Sequence, residues 1–471
     1  MRHLQGQDRL QSSLLPDALE DYVAPDDSVR VIDAFVDTLN FEELGFSKAT
    51  TSSTGRKPYH PGDLLKLYIY GYLNRIHTSR RLEQECHRNL EVLWLMRRLA
   101  PDFKTIADFR KDNGSAIRGA CRAFIMFCRS AGLINGRLVG IDGSRFKAAA
   151  SKDRALTRRQ LLRDRKLIDS KIEGYLAQLE TQDAEETVDE VARDRVRDAL
   201  NRLKARSHRL NEYECAMDEL GSNQYCETEP DARIMRSGRD GMILGYNVQS
   251  AVDADSGLIV HHQVTQDATD SRQLLPMAEK TKSLLGSDTL DVVADTGYSN
   301  AEHLDACERQ GINATVPRSP IPGTDKELFQ KSEFNYDPEA DCYTCPAGEL
   351  LPYRRDDLRR NLKIYVKKGC SRCALQAKCA KSDQRTLSRS HFEGAIARSN
   401  ARLSSNPNIM TQRMAIAERP FAVLKQAMGL RRFVCRGMQR TEAELSIAIL
   451  GYNLRRTMNI ASVPGMLALL R

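Results

Sequence analysis

Leu138-Val139-Gly140-Ile141-Asp142-Gly143-Ser144 is a short apolar run that ends in a carboxylate at an Asp-Gly pair. An aliphatic run of this length reads as a buried strand. Asp-Gly is turn chemistry, so the Asp142 carboxylate is expected at the strand end, facing a cleft. The pattern returns at Leu290-Asp291-Val292-Val293-Ala294-Asp295-Thr296-Gly297, a second β-rich run with Asp295 at its C-terminal end. Strand-end carboxylates in a mixed α/β core can meet in space, and carboxylate oxygens are what a hard cation such as Mg²⁺ requires. Either motif alone reads equally well as an ordinary turn.

A third stretch shifts that balance. Arg413-Met414-Ala415-Ile416-Ala417-Glu418-Arg419-Pro420-Phe421-Ala422-Val423-Leu424-Lys425 leads into Met428-Gly429-Leu430-Arg431-Arg432-Phe433. On a helix, Phe421, Leu424 and Met428 form one apolar stripe, and Glu418 and Lys425 share a neighbouring polar face. A carboxylate and a lysine two turns apart can hold a metal and a phosphate side by side. Asp142, Asp295 and Glu418, with Lys425 following, resemble the carboxylate triad of the DDE transposases of bacterial insertion sequences. Three further segments, Pro101 to Arg110, Gly245-Tyr246-Asn247-Val248-Gln249 and Glu418-Arg419-Pro420-Phe421, look most like insertion-sequence family 1182, and the resemblance covers essentially the whole chain.

The resemblance implies an RNase H-like core whose three carboxylates hold Mg²⁺ or Mn²⁺ for DNA strand cleavage and strand transfer, the two ions of such a site stabilising attacking and leaving oxygens. Lys425 would contact a phosphate near the cut. The implied partners are double-stranded DNA, both terminal inverted repeats and target, and a second copy of the chain in the active complex. Two other readings fit parts of the chain: a non-catalytic DNA-binding regulator, and a nuclease that cuts without joining. The chain departs from the Tyr-x₂-Arg-x₃-Glu-x₆-Lys pattern of many such enzymes, with Thr411 and Met414 in the first two places. Arg413 falls one position early, about 140° around the helix from Glu418, which predicts no role for it. Pro420 must lie in the first turn of its helix or kink it.

Composition agrees with a polyanionic partner without demanding one: the net charge is +8 and the pI near 8.8. At 471 residues the chain has room for about three domains. No run approaches about 18 apolar residues and no apolar segment follows a basic start, so neither a membrane span nor a signal peptide is expected. A cytoplasmic, nucleoid-associated protein is the expectation, in which the twelve cysteines serve as thiols or metal ligands rather than disulfides.

Residues 1–130 read as a helical DNA-binding domain. Leu14-Leu15-Pro16 precedes an amphipathic run, Val29 to Val36, and Pro61 suits the first turn of a second helix. A helix from Ser79 is expected to run through Trp94 and Leu95, and Thr105 to cap another. Among these helices Arg80, Arg81, Lys104 and Arg110 are candidate DNA contacts, joined later by Arg431 and Arg432. A helical dimerisation domain with a solvated basic face is the alternative. The catalytic core is expected over 131–318, interrupted by a heptad-patterned helical hairpin at 151–215 and completed by helices over 401–471. Met242 to Val252 and Leu258 to Val264 flank an Asp/Gly turn and predict a β-hairpin.

Residues 319–400 form a cysteine-rich insert. Cys342-x₂-Cys345 and Cys370-x₂-Cys373 have the spacing of thiolate pairs on tetrahedral Zn²⁺, with Leu350 to Val366 as the hairpin of a zinc ribbon. Cys379 is a fifth thiol for four places and could substitute for one of them. Such a zinc would be structural, because four thiolates leave no open position.

Overall fold

The computed structural model describes residues 18–50, 57–184, 190–238, 240–319 and 328–471, so the Leu14-Leu15-Pro16 segment lies outside it. Six helices come first: α1 (Ser28–Asp37), α2 (Pro61–Leu73), α3 (Ser79–Arg88), α4 (Leu90–Leu95), α5 (Phe103–Asp112) and α6 (Gly114–Ser130). The single helix expected from Ser79 is two, because Asn89 turns extended and its side chain caps α4 by accepting from Val92 N at 3.2 Å. The cap of α5 is Asp102, to which Thr105 donates both its backbone N–H and its hydroxyl at 2.9 Å.

The central sheet contains β1 (Leu138–Lys147), β2 (Arg233–Ser237), β3 (Gly241–Asp253), β4 (Ile259–Thr265), β5 (Leu290–Ala294) and β6 (Ile312–Thr315). Its order is β4-β3-β1-β5-β6, with β2 pairing the first residues of β3. β3 runs antiparallel to β1 and β4, whereas β1, β5 and β6 are mutually parallel neighbours. The chain is thus a mixed α/β protein, and this order and these directions fit an RNase H-like core.

One expectation fails here in an instructive way. β1 does not stop at Asp142-Gly143: its antiparallel ladder with β3 continues to the Lys147–Gly245 pair. The parallel ladder with β5 ends at Ile141–Ala294. A cross-strand partner on one side holds the chain extended past residues that would otherwise turn, so Asp142 sits in mid-strand, where its parallel neighbour ends.

Four further helices complete the core: α9 (Leu274–Leu285), α10 (Ala301–Arg309), α12 (Ile409–Ala422) and α13 (Met438–Leu469), the last interrupted at Ser462 by a non-helical φ of 62°. α13 packs against α1, α2, α6 and β4. One apolar core accordingly runs from Val23 through the sheet to Met466, so the described helices before residue 131 share their packing with the central sheet.

Two segments build separate small cores. α7 (Arg158–Ala184) and α8 (Glu190–Glu219) pair through Leu161, Ile168, Leu210 and Met217; of the Gln182 to Glu186 break expected between them, residues 182–184 are the helical end of α7 and residues 185–186 lie outside the described residues. Residues 335–390 form an antiparallel sheet of β7 (Asn335–Asp337), β8 (Cys342–Thr344), β9 (Leu350–Asp357), β10 (Leu362–Lys368) and β11 (Gln384–Ser390). After it, α11 (Glu393–Ser405) packs on α10 and β6. Among the described residues no helix is long and apolar enough to cross a membrane.

Candidate active site

Asp142 and Asp295 each follow the last paired residues of adjacent parallel strands, Ile141 and Ala294. Neighbouring strands lie about 4.8 Å apart, so register alone brings the two carboxylates together. Asp295 also accepts from Gly297 N at 2.8 Å, which fixes the turn leaving β5. Glu418 arrives on α12, which crosses β1 at Gly140, where a Cβ would lie 3.0 Å from Ile416 Cγ2 and 3.3 Å from Ala417 Cβ. The missing side chain lets the helix come down onto the strand.

Arg413 stands at the meeting point of all three carboxylates. Its Nη2 is 2.5 Å from Asp142 Oδ1 and 3.8 Å from Asp295 Oδ2, and its Nη1 is 3.2 Å from Glu418 Oε1. This corrects the angular argument that gave Arg413 no role. Side chains on a helix lean toward its N-terminus, so Glu418 reaches back while the long Arg413 side chain spans the remaining offset. The Arg413 side chain is 6% exposed, against 14%, 43% and 53% for Asp142, Asp295 and Glu418. Burial pushes the Asp142 carboxyl up to about 7, opposed by the charge of Arg413 and reinforced by the two other carboxylates.

Phe421, Leu424 and Met428 are buried as the apolar stripe predicts. Pro420 lies inside α12, outside its first turn, and the helix passes into one wide π-helical turn, Val423–Ala427. Such turns re-aim side chains within a helix. Here the turn carries Lys425, whose Nζ donates to Ser144 Oγ at 2.6 Å and to the Arg145 carbonyl at 2.8 Å, and lies 4.4 Å from the centre of the Phe146 ring. The lysine is thereby tied to β1 just beyond Asp142. Beside it opens a cleft of about 480 Å³ lined by Ser144, Arg145, Lys147, Arg236, Lys425 and Arg431.

Sequence reasoning missed the network beneath the triad. Asp270 accepts from Asn247 Nδ2 at 2.8 Å and from Gln249 Nε2 at 2.7 Å, and pairs with Arg145 at 3.0 Å. The Tyr298 hydroxyl donates to Gln249 Oε1. A Cβ on Gly143 would come within 2.6 Å of Asp270 Oδ1 and 3.1 Å of Tyr298 Oη, so only glycine fits there without displacing the network. The available signal was two amide side chains, Asn247 and Gln249, on one face of an otherwise apolar strand; buried polar groups need partners.

The basic candidates divide. Arg80, Arg81, Lys104, Arg431 and Arg432 are exposed, Arg80 lying over the Phe103 ring at 5.2 Å. Arg431 and Arg432 lie beside the end of β1, where Lys147 N donates to Arg431 O and Phe433 N to Lys147 O. Arg110, by contrast, is 6% exposed, donates to the Tyr72 hydroxyl at 3.0 Å and lies over the Tyr68 ring. It belongs to the core, because α5 presents it inward one residue after Phe109, and it is corrected from a DNA contact to a packing residue. Cys345, Cys370, Cys373 and Cys379 line one cavity, from which Cys342 is absent. Among the described residues no three His, Cys, Asp or Glu side chains, as they stand, form a group able to hold a metal ion.

Residues 17–112 match the family described as "Transposase domain (DUF772)", and residues 225–454 match the "Transposase DDE domain". No curated protein matches the chain. Among solved structures, a piggyBac transposase synaptic complex with hairpin DNA aligns at 9% identity over 94% of this chain and 79% of that one, with a TM-score of 0.35. A likeness that low carries no structural argument.

Proposed function

The chain belongs to the DDE transposases, and from that premise we propose that it is an insertion-sequence transposase of family 1182 type, with Asp142, Asp295 and Glu418 as its metal-binding triad. It is a DNA-cleaving and strand-transferring enzyme, and the enzymes of this class work with divalent metal ions. The observation that carries the assignment of residues is the convergence of the three carboxylates on one cationic head group, that of Arg413. A donor set that already surrounds a positive charge fits Mg²⁺ or Mn²⁺, both oxygen-seeking ions. When bound, the divalent ions supply an activated attacking oxygen and stabilise the leaving one.

The remaining work falls to the chain's own side chains. Lys425, tethered between Ser144 and Arg145, holds a fixed positive charge at the cleft, suited to a backbone phosphate next to the scissile bond. Arg145, Lys147 and Arg431 extend that charge along the cleft and favour a polyanionic strand. In the first step water attacks phosphorus, the P–O3′ bond breaks and a 3′-hydroxyl is freed at the transposon end. In the second step that hydroxyl attacks a phosphodiester of target DNA, so that a new P–O3′ bond forms as the target's own P–O3′ bond breaks and a target 3′-hydroxyl leaves with the proton. Recognition of the terminal repeats is assigned to the first 120 residues, through the exposed Arg80, Arg81 and Lys104, and the active complex to two copies of the chain. The clustering of the three carboxylates on one buried guanidinium favours this reading over a non-catalytic regulator.

The test is substitution. Asp142→Ala, Asp295→Ala and Glu418→Ala are each expected to lower cleavage of a terminal-repeat duplex by about 10³-fold or more, the loss of several kcal/mol of transition-state stabilisation. Gel-shift affinity for the same duplex should change little. Lys425→Ala should slow cleavage about 10- to 100-fold, as loss of a charged hydrogen bond, and weaken binding less. A triad variant that cleaves at the wild-type rate removes that residue from the site.

A further inference from the structure

The small sheet of residues 335–390 fully buries only Phe334, Tyr343, Leu351, Tyr365, Cys379 and Leu387, with Phe329, Tyr336 and Cys345 partly buried against them. Six side chains are too few to hold a five-stranded sheet by burial alone, and units of this size ordinarily need a staple. The chain has no disulfide among the described residues, but four of its thiols face one space. Cys345, Cys370, Cys373 and Cys379 line one cavity of about 370 Å³ together with the basic side chains of Lys367 and Arg385.

Three of the thiols are presented by tight turns and the fourth by a short helix. Cys345 opens the turn Cys345-Pro346-Ala347-Gly348, in which Gly348 N donates to Cys345 O at 2.8 Å and Gly348 adopts φ +79°. Cys370 and Cys373 flank a second turn, closed by Cys373 N to Cys370 O at 3.1 Å and entered through Gly369, also at φ +79°. Leu375 N points at Cys373 Sγ at 3.4 Å, the backbone N–H to sulfur contact that steadies a thiolate. Cys379 ends the short helix Gln376–Cys379, and its carbonyl is held by Arg385 at 2.8 Å.

Cys342 is excluded by strand geometry. Successive side chains on β8 point to opposite faces. Tyr343 faces the small core, with its ring 5.1 Å from that of Tyr365. Cys342 therefore faces away from it, and it is buried elsewhere, outside the thiol cavity.

We infer that Cys345, Cys370, Cys373 and Cys379 form a structural Zn²⁺ site that staples the two turns to the small sheet, and that Cys342 is not a ligand. Four thiolates give the closed tetrahedral set of a structural zinc, with no position left for a reacting water. The sulfurs as they stand line the cavity without closing on one point, so binding draws them together and metal removal loosens the turns. The site stands independently of the cleavage reading, since zinc content and strand cleavage are measured separately.

Elemental analysis of the full-length protein, purified without chelator, tests it. About one Zn²⁺ per chain is expected in the wild type and in Cys342→Ala, and almost none in Cys379→Ala. Because Cys379→Ala can also fail to fold, Co²⁺ reconstitution supplies a second reading. Wild type and Cys342→Ala should share one thiolate-to-Co²⁺ charge-transfer intensity, and Cys379→His should keep the ion with that intensity lowered by about a quarter, one sulfur of four. Zinc-free wild-type protein, loss of zinc in Cys342→Ala, retention in Cys379→Ala, or an unchanged charge-transfer intensity in Cys379→His overturns the assignment.

Discussion

The carboxylate cluster and the thiol cluster are assembled by opposite means. Asp142, Asp295 and Glu418 come from the ends of strand pairings and a helix far apart in the chain, and long-range strand pairing and the shared apolar core bring them together. The four thiols fall between residues 345 and 379 and are positioned by two turns and a short helix. The first cluster thus inherits its geometry from global packing, the second from local backbone. A disturbance beneath the triad should leave the thiols untouched, and loss of the thiol-bound ion should loosen the small sheet before it reaches β1.

Gly143→Ala gives that contrast its strongest test. The added methyl would press on Gln249, Asp270 and Tyr298, the network that supports Asp142 and the Asp295 turn. Misplacement of a reacting group by about 1 Å can cost about 10²-fold in rate. The variant is expected to cleave about 100-fold more slowly while holding the same zinc per chain by elemental analysis. A parallel fall in zinc would show that the two clusters are not independent.

The same contrast explains what could be read from sequence. The thiol pairs were visible as spacing, because both partners of a turn lie within a few residues. Which four of five thiols share a cavity was not, since it depends on the face of β8 that Cys342 occupies. Asp142 and Asp295 were visible as carboxylates closing apolar runs, yet the strand's continuation through Asp142-Gly143 depended on a partner, β3, a hundred residues away. Arg413 was misjudged by treating a helix as a set of angles. Its side chain is long enough to cross them, and Glu418 leans back to meet it. Arg110 looked like its exposed basic neighbours, and only the packing of α5 against Tyr68 and Tyr72 distinguishes it. Gln249 and Asp270 carried a weaker signal, buried polarity without an evident partner.

Arg413 sharpens the comparison next, because it is the internal countercharge of the triad. Removing one partner of a buried ion pair costs about 3–5 kcal/mol. Asp295 and Glu418 are half-exposed, so solvent screening brings the expected loss for Arg413→Ala nearer to about 2 kcal/mol. The variant should melt several degrees lower than wild type in metal-free buffer, and saturating Mg²⁺ should recover part of the difference, because an ion bound only by the folded state stabilises it. Equal melting temperatures without metal would mean that the guanidinium does not hold the carboxylates together.

The smallest effect expected is a shift of metal dependence with pH. Asp142 titrates near 7 because it is buried, with Arg413 pulling the other way. A carboxyl raised in this way carries a proton over a range in which an ordinary carboxylate is fully ionised, so protons compete with the divalent ion at neutral pH. At pH 8 about nine-tenths of Asp142 is ionised, and at pH 6 about one-tenth. At limiting Mg²⁺, cleavage should therefore fall about tenfold from pH 8 to pH 6. Saturating Mg²⁺ should restore most of the rate, since the ion displaces the proton. The same linkage makes metal-free protein gain stability from this group as pH falls from about 8 toward 4, where the folded state binds the proton and the unfolded chain does not. Zinc content should not follow the Asp142 titration, because the thiols belong to a separate small core. Cleavage rates titrated with Mg²⁺ at pH 6 and pH 8, with zinc content followed in the same samples, decide the point. An apparent Mg²⁺ affinity that is the same at both pH values would place the first carboxylate in the ordinary range and separate the burial of Asp142 from its chemistry.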